Sequence, residues 1–77
     1  MIKNELFLLI KDALDAEGEV DMDSSADSIP EWDSLGHLSV LTALDNATDG
    51  KAASISDLAD ATSVTAIVEI LEVNGLL

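Results

Sequence analysis

Apolar residues recur at the spacing of an α-helix along most of this chain, and that pattern limits the fold more than any other feature. In the first stretch, apolar residues four positions apart share one helical face: Ile2, Leu6, Ile10 and Leu14. Four stretches in all are predicted to be helical: residues 2–16, 34–49, 56–61 and 64–73. No stretch alternates apolar and polar residues over a useful strand length. The pattern predicts an all-α fold, a small four-helix bundle of three main helices and one short helix.

The second predicted helix carries an apolar stripe of leucines three positions apart, widened by Val40 and Ala47, and we expect it to face the core: Leu35, Leu38, Leu41 and Leu44. Asp33 precedes this helix as a suitable N-cap, because its carboxylate can accept a hydrogen bond from a free backbone N–H. Gly50 is expected to end this helix and Gly18 to end the first one, because glycine readily adopts the left-handed conformation found there.

A long acidic loop, residues 17–33, is predicted between the first two helices. It holds seven acidic residues and no basic one, and its apolar periodicity vanishes. Loops of this length are uncommon in compact domains and are often functional. Ile29 and Trp32 are expected to anchor the loop to the core.

Part of this loop begins like a calcium-binding loop, with acidic or hydroxyl side chains at Asp21, Asp23, Ser25 and Asp27. An EF-hand needs glycine at the sixth position and glutamate at the twelfth, whereas this segment has Ala26 and Trp32 there. No specific metal site is therefore predicted, and only weak, diffuse cation binding is expected.

The charge balance excludes several classes of function. Three basic residues against 16 acidic ones give a net charge of −13. Too few basic side chains are present to contact nucleic-acid phosphates, and the same charge disfavours anionic membrane surfaces. Because 48% of the residues are apolar, we nevertheless expect a folded, self-repelling domain.

Cysteine is absent and histidine occurs once, which makes disulfides impossible and a zinc site improbable. The N-terminus shows no signal-peptide pattern, and the longest apolar run, residues 6–10, is too short to span a bilayer. We therefore expect one soluble, cytoplasmic, monomeric domain over residues 1–77.

The motif Asp33-Ser34-Leu35 lies where the second helix is predicted to begin. Free backbone N–H groups and the positive end of the helix dipole favour an attached phosphate there. Ser34 and His37 also stand three positions apart, which suggests a minimal hydrolase. That reading is disfavoured because no oxyanion hole, glycine elbow or substrate pocket is evident, and His37 is expected to be an exposed helical residue.

The surrounding stretch, Ile29-Pro30-Glu31-Trp32-Asp33-Ser34-Leu35-Gly36-His37-Leu38, resembles the modification site of acyl carrier proteins. The resemblance extends over essentially the whole chain, in length, helix order, acidity and motif position. It implies that Ser34, flanked by Asp33 and Leu35, receives 4′-phosphopantetheine from coenzyme A through a phosphopantetheinyl transferase. It further implies that the arm's thiol carries acyl groups as thioesters, and that the protein is not itself an enzyme.

The same resemblance implies contacts with acyl-loading and acyl-processing enzymes through basic docking patches on those partners. The expected recognition residues are Asp33, Leu35, Gly36, His37, Leu38 and Asp45. The expected acyl-pocket residues are Leu38, Leu41, Leu44, Ile55, Leu58, Ala61 and Ile67.

The second helix departs from the acid-rich pattern of fatty acid synthesis carriers, with Ser39 and Asn46 where acids are usual. The pathway therefore stays open between fatty acid synthesis and a specialised lipid, polysaccharide or secondary-metabolite route. An aminoacyl or peptidyl carrier and an acidic helical adaptor without a prosthetic group are the alternatives.

Overall fold

The computed structural model describes all 77 residues and contains helices and loops but no strand. Its three α-helices are α1 (Lys3–Leu14), α2 (Ser34–Ala47) and α3 (Val64–Val73). Two 3₁₀ helices, Ala52–Ser54 and Ser56–Asp60, connect α2 to α3. The prediction of an all-helical bundle is confirmed. None of the helices combines the length and the apolar character that a membrane crossing needs.

Helix α1 buries most of the face that its periodicity predicts. Three of the four expected residues are buried: Leu6, Ile10 and Leu14. Ile2 is the N-cap and is 63% exposed. The helix ends because Asp15 adopts the left-handed conformation, with φ of 52°. The prediction that Gly18 ends this helix is therefore wrong.

The acidic loop is irregular along its length, as predicted, and apolar side chains anchor it to the core: Val20, Ile29 and Trp32. It is also bonded to the start of α3. The Ala26 N–H donates to the Thr62 carbonyl, and the Val64 N–H donates to the Ser24 carbonyl, each at 2.9 Å. These two bonds form an isolated antiparallel β-bridge. The loop and the N-terminus of α3 therefore form one hydrogen-bonded unit.

Helix α2 buries only part of its predicted apolar stripe, since Val40 and Leu44 are buried whereas Ala47 is exposed. Its buried residues follow one another by three and four positions: His37, Val40 and Leu44. Leu35 is 75% exposed and Leu38 is 59% exposed, so the expectation that these two face the core is wrong. In this orientation the His37 imidazole lies on the inner face of α2, where it is hydrogen-bonded to Trp32 and to Leu58.

The connection from α2 to α3 consists of the two 3₁₀ helices and short turns. The first left-handed residue after α2 is Asp49, with φ of 54°, and Gly50 follows it at φ of 85° and donates its N–H to the Asp45 carbonyl at 2.8 Å, so Gly50 is not the residue that ends the helix. Within Ser56–Asp60, which we call the 56–60 segment, only Leu58 is buried and the other four residues are exposed. Ser63 then caps α3 by accepting a hydrogen bond from the Ala66 N–H at 3.1 Å.

One contiguous cluster of 15 buried apolar residues forms the core. The radius of gyration is 10.9 Å, close to the roughly 11 Å expected for a compact chain of this length. The bundle is thus as compact as an ordinary domain of its length, despite its net charge of −13.

Gly36 marks the closest approach between α2 and the acidic loop. A Cβ at this position would overlap the Glu31 carbonyl oxygen and lie 2.9 Å from Leu14 Cδ2. A residue without a side chain therefore allows the loop to lie directly against the first turn of α2.

We expect Gly36→Ala to lower the free energy of unfolding by about 1–3 kcal/mol, because the new methyl group must displace backbone. The loss should appear although alanine favours a helix by about 1 kcal/mol over glycine. Urea denaturation measures it. Gly18→Ala is the matched control, since nothing lies within 4 Å of a Cβ there, and it should be neutral or slightly stabilising. Equal effects of the two substitutions would contradict the close contact.

We also expect the melting temperature to rise with added sodium chloride or magnesium chloride, because ions screen the repulsion among the acidic side chains. Only one ion pair, Lys11 with Glu19 at 2.9 Å, offsets that repulsion locally. The rise should be smaller in the double variant Glu17→Gln, Asp27→Asn, which removes two exposed charges. Thermal melts of both proteins across a salt series test this, and a salt-independent midpoint would count against it.

Candidate functional site

Ser34 is the first residue of α2 and is exposed. The preceding residue, Asp33, provides the predicted cap, since its carboxylate accepts a hydrogen bond from the Gly36 N–H at 2.8 Å. Because Asp33 fills this role, the Ser34 hydroxyl is not needed to satisfy the helix terminus. The hydroxyl is therefore accessible at the positive end of the helix dipole.

A cavity of about 550 Å³ opens beside Ser34, and we call it the Ser34 cavity. It lies between the acidic loop, α2, the 56–60 segment and Thr62. Its lining is Ala26, Trp32, Asp33, Ser34, His37, Leu38, Leu41, Ala59 and Thr62. Ser34, the attachment position expected from the sequence, thus lies at the rim of a partly apolar cavity.

His37 lines the Ser34 cavity but is only 7% exposed, so the expectation that it is an exposed helical residue is wrong. Both of its ring nitrogens are engaged. The Trp32 Nε1–H donates to Nδ1 at 3.0 Å, and Nε2 lies 2.9 Å from the Leu58 carbonyl oxygen. The two ring planes are 22° apart with centroids separated by 6.2 Å, which suits a hydrogen bond lying in the ring planes.

These two bonds determine where the imidazole carries its proton. An indole N–H can only donate, so His37 Nδ1 must present its lone pair to Trp32. A carbonyl oxygen can only accept, so Nε2 must carry the proton that is donated to Leu58. The side chain is therefore the neutral Nε2–H tautomer, and it connects the loop, α2 and the 56–60 segment.

The same geometry bears on the hydrolase reading. A general base must have a free lone pair within reach of the nucleophile's proton. The Nδ1 lone pair of His37 accepts from Trp32, and Nε2 is protonated towards Leu58. This arrangement leaves Ser34 without a basic nitrogen from His37.

A second cavity of about 300 Å³ lies farther along α2. It contains three of the expected acyl-pocket residues, Leu41, Ile55 and Leu58, and shares Leu41 and Ala59 with the Ser34 cavity. Leu38 lines only the first of these two cavities. The remaining expected residues are buried in the core and line neither cavity: Leu44, Ala61 and Ile67.

The expected recognition residues divide into surface and interior positions. The exposed ones are Asp33, Leu35 and Leu38. Gly36 is half-buried against the loop, His37 is buried, and the Asp45 carboxylate accepts a hydrogen bond from the Ala53 N–H at 3.2 Å. Of the expected recognition residues, the structure therefore brings only Asp33, Leu35 and Leu38 to the surface around Ser34.

Side chains of the acidic loop form hydrogen bonds within the loop itself. The Asp21 carboxylate accepts hydrogen bonds from the Asp23 N–H at 2.9 Å and from the Ser24 hydroxyl at 3.3 Å. No group of three or more His, Cys, Asp or Glu side chains forms an arrangement that could hold a metal ion.

Sequence reasoning missed the polar connection through His37 and the small residues around Ser34, namely Ala26, Ala59 and Thr62. A signal for His37 was present, since it precedes Val40 and Leu44 by three and seven positions on one helical face. The small lining residues carry no comparable signal, because the packing of the loop against α2 brings them there.

No family model, curated protein or solved structure matches this chain.

We expect His37 to be the Nε2–H tautomer and the Trp32 indole proton to exchange slowly, because each takes part in a buried hydrogen bond. Nitrogen-15 NMR of the ring nitrogens distinguishes the tautomers, and the protein's one histidine and one tryptophan make assignment direct. Leu35→Ala, at an exposed position, should leave both signals in place, whereas Leu58→Ala should perturb them. A protonated Nδ1 would contradict the geometry.

Proposed function

We propose that this chain is an acyl carrier protein in which Ser34 bears a 4′-phosphopantetheine arm. The observation that carries the proposal is the placement of an exposed serine hydroxyl at the first residue of α2, at the rim of the Ser34 cavity. The resemblance of the surrounding motif supplies the identity of the group.

The residues around Ser34 fit such a group in three respects. The hydroxyl is accessible, so a phosphodiester can form without disturbing the core. The N-terminus of α2 favours the phosphate charge through its dipole and free N–H groups. The adjoining cavity offers apolar surface from Trp32, Leu38 and Leu41 to the arm or its cargo.

Attachment requires chemistry that the chain does not provide. The Ser34 oxygen forms a bond to phosphorus as a pyrophosphate P–O bond of coenzyme A breaks, and adenosine 3′,5′-bisphosphate leaves. The hydroxyl proton must pass to a base of the transferase, because both His37 nitrogens are already hydrogen-bonded. Once attached, the arm supplies a thiol that holds acyl groups as thioesters.

The surface around Ser34 is suited to brief docking. Leu35 and Leu38 form an exposed apolar patch beside the serine, and Asp33 adds charge at its edge. The net charge of −13 attracts partners with basic docking patches and speeds their encounter. Tethering then raises the effective concentration of the acyl group at each partner's active site.

The proposal extends to the finer assignments made from the sequence. The 56–60 segment serves as the fourth helix of the bundle, and the two cavities beside α2 are where an acyl group would lie. We propose a monomeric cytoplasmic carrier, not itself an enzyme, for a fatty acid, specialised lipid, polysaccharide or secondary-metabolite pathway.

Incubation with coenzyme A and a broad-specificity phosphopantetheinyl transferase should add the mass of one phosphopantetheinyl group to the intact protein. Ser34→Ala should abolish the gain, because the attacking oxygen is lost. Ser39→Ala is the matched control, since it removes another exposed hydroxyl from α2 and should load normally. Intact-mass spectrometry reads all three proteins. An unmodified wild-type chain would instead favour an acidic adaptor domain without a prosthetic group.

A further inference from the structure

The hydrogen bond from His37 to Leu58 lies at the boundary between the Ser34 cavity and the second cavity. His37 lines the first of these and Leu58 lines the second. Leu41 and Ala59 belong to both, so they form the rest of the boundary. A chain that extends from Ser34 to the second cavity therefore passes beside the His37–Leu58 bond and the side chains of Leu41 and Ala59.

The 56–60 segment is held mainly through a single residue. The Leu58 side chain is 1% exposed, while the other four residues of the segment are exposed. The Leu58 carbonyl accepts two hydrogen bonds, from His37 Nε2–H at 2.9 Å and from the Ala61 N–H at 3.2 Å. If the segment moves away from α2, the carbonyl keeps the bond to Ala61, which lessens the cost of breaking the bond to His37.

The other walls of the Ser34 cavity are fixed more firmly. Trp32 is 3% exposed, and the loop that carries it is bonded to the start of α3 at two points. Gly36 lets the same loop lie against α2 without a gap. Movement that enlarges the cavity is therefore expected at the 56–60 segment rather than at the loop.

We propose that the His37 Nε2–H···O=C Leu58 hydrogen bond is a latch that limits how long an acyl chain the protein can enclose. This inference rests on the proposed carrier function. With the latch closed, a short acyl group on the arm lies in the Ser34 cavity. A long apolar acyl chain reaches the second cavity, lined by Leu41, Ile55 and Leu58, only when the latch opens. His37 is in this view a positioning residue.

Two substitutions test the two hydrogen bonds of the imidazole one at a time. In His37→Asn, the amide oxygen can replace Nδ1 as the acceptor for Trp32, but the side chain is too short to reach Leu58. In His37→Gln, the amide nitrogen can replace Nε2 as the donor to Leu58. Circular dichroism confirms folding of each variant before use.

In the unmodified protein, we expect His37→Asn to speed amide hydrogen exchange at Leu58 by about tenfold relative to His37→Gln, while Ala61, which keeps its bond to the Leu58 carbonyl, exchanges alike in both. A merely structural role for His37 would speed exchange to a similar degree in both variants. That outcome would overturn the latch whether or not Ser34 accepts a phosphopantetheine arm.

The wild-type protein provides the second arm of the test, which needs no variant to fold. Acetyl- and dodecanoyl-phosphopantetheine are transferred from the corresponding coenzyme A thioesters to Ser34, and intact mass verifies loading. We expect the His37 Nε2–H resonance to persist with the acetyl group and to be lost or shifted with the dodecanoyl group. The Trp32 indole signal should remain in both.

The outcomes distinguish the two proposals. Verified loading with an unchanged Nε2–H signal in the dodecanoyl form would overturn the latch and leave the carrier function standing. Failure of the wild-type chain to gain any mass would overturn the carrier function, and the latch with it.

Discussion

The imidazole of His37 connects three parts of the molecule through two hydrogen bonds of about 3 Å. Its Nδ1 accepts from Trp32 of the acidic loop, and its Nε2–H is donated to Leu58 of the 56–60 segment. Buried polar groups are costly unless they are paired, and here each of the three groups supplies what another needs. The inner face of α2, the acidic loop and the 56–60 segment meet at this pairing, beside both cavities.

That pairing also explains why Ser34 is available. Since His37 turns inward, the neighbouring positions Leu35 and Leu38 turn outward, and the first residue of α2 lies at the surface between them and the Ser34 cavity. Asp33 satisfies the helix terminus and relieves the serine of that task. The result is an accessible hydroxyl to which His37 offers no basic nitrogen, in keeping with the proposal that a separate transferase modifies it.

Apolar contacts and backbone hydrogen bonds are distributed unevenly around this site. The acidic loop is anchored by apolar side chains and by backbone bonds to α3, and Gly36 permits its close contact with α2. The 56–60 segment, by contrast, buries one side chain. In a small bundle with a large negative charge, opening is expected where the fewest apolar contacts must be broken.

The sequence by itself determined the helical class, the irregular acidic loop with Ile29 and Trp32 as anchors, and the Asp33 cap, because periodicity, capping and loop chemistry are local properties. Only the tertiary structure decided which face of α2 is buried. Leucines and His37 both recur at helical spacing, so periodicity alone allows either rotation. The buried face includes His37, whose two hydrogen-bond partners, a tryptophan five residues earlier and a carbonyl 21 residues later, reach the ring only once the chain is folded.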